Sequence, residues 1–321
     1  MLTAAAQLLR DRQLRQPAAP APTLPTKIYS RLERLLLRVA DPLVHFRYAT
    51  FDLKLPLSHR LPVFLHTCPH YNRNLGRLGK LVHDRYPGLT AVDVGANVGD
   101  SVAVLRAESN FPILCVEADP TFFNLLHYNA AQFKDVELAQ AYLGEAPSEL
   151  AGKLVSSSGT GHVETAAASN GATQTIRIRT LCDVLAEHPR FAAPKFVKTD
   201  TDGYDAKILR GAAPCLAKSK PVLFFEYDTY FLKQANDDGL SLFATLKDLG
   251  YTDLLVYDNL GVLQPPARLA DDAALHRIHN DLCEGRPGGR YADLCAFHAE
   301  DADLFAEALK SETEYFRGRP G

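Results

Sequence analysis

The residues best placed to do chemistry lie in AVDVGANVGDS, Ala91 to Ser101. A short apolar run ends in Asp93, turns through Gly95 and Gly99, and opens a segment of helical character. A strand-to-helix turn of this kind presents free backbone N–H groups, and glycine, lacking a Cβ, lets a ligand approach them closely. The next apolar run, Phe111 to Val116, ends in Glu117, 22 residues beyond Gly95. That is near the ~20 expected for a carboxylate that holds an adenosine ribose.

Charge and glycine spacing discriminate between ligands. A dinucleotide fingerprint needs glycines two and five positions after Gly95, where this chain has Asn97 and Asp100. Asp93, Asp100 and Glu117 would also crowd a pyrophosphate with negative charge. They suit a ligand that carries an ammonium and a sulfonium beside a ribose, as S-adenosylmethionine (SAM) does. The plain alternative is a tight turn in any α/β protein.

The elements that must position these residues follow a βαβα pattern from Thr90 onward. Strands are predicted at AVDV, PILCVEA, Val136–Tyr142 (stopping at Gly144), TQTIRIRTL, KFVKTD, PVLFFEYD, TDLLVYDN and YADLCAFHA. Helices are predicted over 101–107, 120–132, 182–187, 205–217 and 240–249, with Asp119 as N-cap and Pro120 in first position of the second. Such alternation implies a sheet covered on both faces, with ligands outside the carboxyl ends of its strands. Asp93, Glu117, Asp200 and Glu226 all stand at strand carboxyl ends. Any one of them reads equally well as a helix cap or a surface acid. Four at one rim repel one another, and stability alone does not explain them.

Upstream, residues 1–26 begin as a short Ala/Leu/Arg helix and dissolve into Pro17, Pro20, Pro22 and Pro25. A disordered leader is the reading preferred over a targeting peptide. Residues 27–88 read as a cap: Ile28, Leu32, Leu35, Leu36 and Val39 share a helical stripe, FDLKLPLSHRLP alternates like a strand, and 73–85 is helical. The main domain spans 89–299, and 300–321 reads as a C-terminal helix and tail.

At 321 residues the chain is long enough for one large α/β domain with additions. A formal net charge of −3 gives no electrostatic footprint for nucleic acid. Six cysteines without CxxC or metal-ligand spacing read as free thiols rather than a disulfide framework, so a cytoplasmic location is expected. No apolar run reaches the ~20 residues of a membrane span.

VDVGANVGDS, CVEADP, KFVKTDTDGYDAKILRGA and PVLFFEYD together resemble the FkbM family of SAM-dependent methyltransferases, from about Thr90 to Asp228. The third block is the most specific: Lys198, Asp200, Gly203 and Asp205 match a Lys-x-Asp-x-Glu-Gly-x-Glu pattern, with Asp202 in place of the commoner glutamate. LPLSH ending at His59, and 72–81, look like an upstream region of some members. The resemblance implies a class I, Rossmann-like α/β fold, a seven-stranded and mostly parallel sheet with helices on both faces, its final pair antiparallel. It also implies methyl transfer from SAM, most often to a hydroxyl of a sugar or natural-product scaffold. Asp93, Gly95, Asn97, Gly99, Asp100 and Ser101 fall on the cofactor turn, Glu117 and Ala118 at the ribose, and Leu143 and Gly144 where the adenine rests.

Methyl transfer is an in-line displacement, so alignment of the acceptor oxygen is the main task. A base in reach of the hydroxyl adds typically ~10²–10⁴. Asp200 is the first candidate and Glu226 stands at the same rim; His162 and His59 are weaker candidates. Asp200, Asp202 and Glu226 could alternatively hold a divalent cation, the less favoured reading. The small, polar stretch Ser156–Ala172 reads either as disorder or as a lid. A non-catalytic SAM-fold binding protein is the rival from another class. A nucleic-acid methyltransferase and a nucleotide-dependent oxidoreductase fit less well, the first for the acidic charge balance and the second for the missing glycines. A small-molecule or glycan acceptor is expected.

Overall fold

The computed structural model describes residues 2–15, 24–157, 160–165 and 174–319. Helices α1 (Leu2–Leu14) and α2 (Leu24–Leu37) lead into an antiparallel hairpin of β1 (Leu43–Tyr48) and β2 (Phe51–Pro56). Residues 1–26, expected to begin as a short helix and continue as a disordered leader, include α1, whose Ala6 and Arg10 are fully buried. A buried guanidinium needs partners. Arg10 has Glu33 at 3.0 Å and the carbonyl of Leu57. The apolar stripe of α2 is only partly used: Leu36 packs on the core, whereas Ile28, Leu32, Leu35 and Val39 stay exposed.

Two more helices, α3 (Leu61–Thr67) and α4 (Arg73–Arg85), precede the main sheet. Strand β3 (Ala91–Val94), α5 (Asp100–Glu108), β4 (Ile113–Glu117), α6 (Pro120–Ala130) and β5 (Val136–Gln140) form its first half. Asp119 caps α6, accepting from the N–H groups of Thr121 and Phe122, with Pro120 in the first turn as the sequence predicts.

The chain then leaves this sheet. Strands β6 (Tyr142–Leu143), β7 (Ser148–Ser157), β8 (Thr160–Thr165) and β9 (Gln174–Arg179) make a second sheet in the order β6-β9-β7-β8. Gln174–Arg179 of the predicted strand TQTIRIRTL thus belongs to this smaller sheet. Much of the stretch expected as disorder or lid is a hairpin, with Val155 paired to His162, while residues 158–159 and 166–173 lie outside the described residues.

After α7 (Leu181–Glu187) the chain returns through β10 (Phe196–Thr199), α8 (Asp205–Gly211), α9 (Ala213–Ser219) and β11 (Val222–Tyr227). The single helix predicted over 205–217 is broken at Ala212 because Pro214 starts a new one, where its missing N–H costs nothing. Helices α10 (Thr229–Gln234) and α11 (Leu240–Asp248) lead to β12 (Tyr251–Asp258) and β13 (Leu263–Arg268). Then come α12 (Asp272–Arg277), β14 (Ala292–His298) and α13 (Ala302–Phe316).

The large sheet has the order β5-β4-β3-β10-β11-β14-β12-β13. Neighbours from β5 to β11 are parallel, and β14 runs antiparallel to both β11 and β12. It carries one strand beyond the seven expected. That strand, β13, contains Pro265 and Pro266, which an edge tolerates and an interior ladder does not. Period-two alternation sends Val92 and Val94 to one apolar layer and Ala91 to the other, so both faces are packed. Cys182 and Cys215 are joined as a disulfide, which removes two of the six cysteines from the free-thiol reading; Cys115, Cys283 and Cys295 are buried and free.

Candidate active site

Strand order reverses between β3 and β10, and the carboxyl ends of these two strands and β4 open onto one cavity of about 810 Å³, mouth included. This is the switch point at which open α/β sheets bind ligands. Phe122, Leu143, Ile178 and Ile208 supply its apolar lining. Asn97, Glu117, Asp200, Asp202, Tyr142 and Tyr204 supply polar groups.

The first wall is the turn after β3. Gly95 has φ +73°, and a Cβ there would lie 1.9 Å from the carbonyl oxygen of Asp200. Only glycine allows the two loops to close over each other at this point. Asn97 also adopts a positive φ of 47°. Its backbone N–H donates to Glu117 at 2.8 Å, and the other Glu117 oxygen accepts from Asp119 N–H at 2.8 Å. Burial pushes the Glu117 carboxyl up, and these backbone donors pull it back. Each oxygen keeps a lone pair for a further donor.

Lys198 organises the second wall. Its ammonium lies 3.0 Å from Asp93 and 3.6 Å from Asp200, and it donates to the carbonyl of Gly95 at 3.0 Å. Burial alone would push this amine down, but Asp93, Asp200 and Asp100 outweigh it and hold it charged. Burial likewise pushes the Asp93 carboxyl up, and the Lys198 ammonium 3.0 Å away opposes that push. Asp93 is therefore a buried partner of Lys198 that braces the turn from behind. Asp200, by contrast, leaves 53% of its side chain open and faces the cavity.

Beyond Asp200, Gly203 has φ +93°, and a Cβ there would meet the backbone of Phe231 at 2.4 Å. Burial, then Asp200 and Asp205, push the neighbouring Asp202 up to about 8. Glu226 is pushed well above the usual carboxylate range by burial and then by Asp200 and Asp202. One of its oxygens is buried with no hydrogen-bond partner among the described residues.

The sequence-predicted residues divide accordingly. Gly95, Asn97, Glu117, Ala118, Leu143 and Asp200 line the cavity. Asp93, Gly99, Asp100, Ser101, Gly144 and Glu226 are not among its lining residues. Gly144 donates its N–H to Arg179 at 2.9 Å and ends the short β6 pairing. His162 lies on β8, and its side chain falls outside the described residues. Among the described residues no three His, Cys, Asp or Glu side chains come together as a metal site.

His59, a weaker base candidate in the sequence, holds the turn in the structure. Its ring lies 3.1 Å from Asn97 Oδ1 through Nε2, while Leu61 N–H donates to Nδ1 at 3.3 Å. The accepting Nδ1 places the proton on Nε2, so the neutral ring donates to Asn97. Burial pushes the imidazole down, with Asp100 opposing. Tyr142 was missed; it lines the cavity, and its buried hydroxyl has no partner among the described residues.

The strand order and the cavity at its switch point define a Rossmann-like, class I SAM-dependent methyltransferase fold. Residues 93–252 match the family described as "Methyltransferase FkbM domain", and the chain belongs to the FkbM methyltransferase family. No curated protein matches it. Among solved structures it is similar to the methyltransferase FkbM of Methylobacillus flagellatus KT, at 17% identity and TM-score 0.33, covering 74% of this chain and 52% of that one. The match thus spans about half of that relative's length. It is also similar to a SAM-dependent methyltransferase of Aquifex aeolicus, at 9% identity, TM-score 0.32, 65% of this chain and 82% of that one. A third is TYW2 of M. jannaschii, solved in complex with AdoMet, at 10% identity, TM-score 0.37, 81% of this chain and 87% of that one.

Proposed function

We propose that this chain transfers the methyl group of SAM to a hydroxyl oxygen of a sugar or natural-product scaffold. The observation that carries this reading is the cavity in which the Gly95–Asn97 turn, the Glu117 carboxylate and Asp200 meet at three neighbouring strand ends. The residues fit the cofactor. Glu117 has lone pairs for the ribose hydroxyls, Phe122, Leu143, Ile178 and Ile208 form an apolar slot for an adenine, and the unpartnered Tyr142 hydroxyl stands beside that slot.

Bound SAM supplies an electrophilic methyl on a sulfonium. The chain's task is to aim an acceptor oxygen and relieve it of a proton. Asp200 is the acceptor-side carboxylate open to the cavity, and Lys198 at 3.6 Å anchors its position. Tyr71 and Tyr291 are pushed up first by burial and then by neighbours that include Asp200, Glu226 and Asp293, so both phenols stay protonated as donors. Among the residues that line the cavity, Asp200 and Asp202 offer carboxyl acceptors and Tyr204 a phenol donor, which suit a ligand bearing several hydroxyls. The formal charge of −3 disfavours a nucleic-acid acceptor.

The test is transfer of labelled methyl from SAM across a panel of hydroxylated sugars, glycans and polyketide-like alcohols, beside calorimetric titration with SAM. SAM binding with transfer to a hydroxyl supports the proposal. SAM binding without transfer to any member of the panel favours the non-catalytic binding protein instead.

A further inference from the structure

Helix α2 carries two parallel rows of side chains that the other described residues leave open. Ile28, Leu32 and Leu35, continued by Val39 just past the helix end, are 50%, 48%, 49% and 76% exposed. Their spacings of four, three and four residues align them along one line of the helix. Lys27, Arg31, Arg34 and Arg38 each precede one of them, so a row of exposed cations runs alongside, about 100° around the axis. The one acid of this helix, Glu33, is turned inward to Arg10 and offsets nothing on that face. Residues 1–40 hold seven Lys and Arg against two Asp and Glu, in a chain whose total is −3.

We propose that this face docks the protein on an anionic lipid surface, with the apolar row in the acyl boundary and the basic row against the headgroups. A second copy of the helix is the competing occupant, because a four-three-four spacing is also a coiled-coil seam. Charge decides between them. Self-pairing sets Arg31 and Arg38 against Leu36 and Tyr29 or against their own copies, with no acid to answer them. An anionic bilayer answers all four cations at once. The docking face is also tied to the cofactor turn: Glu33 holds Arg10, Arg10 holds the carbonyl of Leu57, and the ring of nearby His59 holds Asn97. The proposal stands apart from the methyl-transfer reading and uses none of its residues at the lipid surface.

The experiment is co-sedimentation of the full chain with vesicles of phosphatidylcholine, with and without phosphatidylglycerol. Partition into the anionic vesicles is expected to exceed that into neutral ones by roughly tenfold or more and to collapse in high salt. Leu32→Ser/Leu35→Ser and Arg31→Glu/Arg34→Glu, all at exposed positions, should each remove most of the partition while circular dichroism and SAM binding are unchanged. Equal partition of wild type and both variants overturns the proposal. So does a failure to bind anionic vesicles, whether light scattering finds a dimer that Leu32→Ser/Leu35→Ser dissolves or the protein captures polyglutamate instead.

Discussion

Glu226 on β11 and Asp293 on β14 are direct partners in the antiparallel register. Like charges placed opposite one another on a sheet are destabilising, and burial sharpens the conflict. Protonation relieves it. Burial and then Asp200 push Glu226 far up and Asp293 up to about 8, while Asn74 and Lys198 hold Asp293 back only in part. With Asp202 also near 8, the folded chain keeps protons at neutral pH that the unfolded chain gives up near ~4.

Stability should therefore fall as pH rises. These folded-state values lie above the unfolded ones, so the folded state binds more protons between the two. The stabilisation is complete below the unfolded value and is lost as pH climbs through about 8. The midpoint of thermal unfolding should drop by roughly 2–5 °C between about pH 6 and about pH 9. Asp293→Asn, a neutral mimic of the protonated acid, should flatten the slope. A wild-type profile that is level or rises across this range contradicts the protonated pair.

The Asp93–Lys198 pair makes a second prediction. Both side chains are almost wholly buried, at 1% and 4% exposure. Lys198→Met leaves Asp93 without its cation and should cost about 3–5 kcal/mol in urea unfolding. Adding Asp93→Asn should recover part of that loss, because it removes the orphaned charge. A single variant as stable as wild type would show that the pair braces nothing.

Much of this site was legible in the sequence because strands that end in acids announce their own carboxyl ends. Glu117 and Asp200 were found that way and Gly95 and Asn97 from the turn between Asp93 and Gly99, and the structure brings them together around one cavity. What escaped had physical reasons. The organising role of Lys198 depends on burial among Asp93, Asp100 and Asp200, and no local pattern reports it. His59 is named in the sequence only as a weaker base candidate; its bond to Asn97, 38 residues further on, depends on the fold between them. Strand β13 hides behind two prolines, and the β7–β8 hairpin behind a run of Ser, Gly and Ala without alternation. The exposed face of α2 shows the converse case. Its periodicity predicts a helix correctly, but periodicity alone does not reveal whether a stripe is covered.

Glu117 tests the cofactor end of the cavity. Glu117→Gln keeps an acceptor for only one of the two backbone N–H groups, of Asn97 and Asp119, and loses the charge that the proposed function directs at two ribose hydroxyls. Hydrogen bonds to charged groups contribute ~1.5–3 kcal/mol, so SAM affinity should fall roughly ten- to a hundredfold. Calorimetry reads this directly. Unchanged affinity in a folded variant places the ribose elsewhere.

Asp200 tests the chemistry. Its side chain is more than half open, and it meets Lys198 at 3.6 Å, so Asp200→Asn should leave the fold intact. The amide keeps the shape but has no lone pair basic enough to take a hydroxyl proton. SAM affinity should stay within a few-fold of wild type, while turnover drops by about 10²–10⁴, the range of general-base catalysis. Raising pH should recover part of the variant's rate, since hydroxide then replaces the missing base. Chelation is the control: EDTA should leave wild-type turnover unchanged, and strong inhibition reversed by magnesium would recast Asp200 and Asp202 as metal ligands. Turnover of Asp200→Asn at the wild-type rate removes Asp200 from the base role and shifts it to the neighbouring acids or to alignment of the acceptor alone.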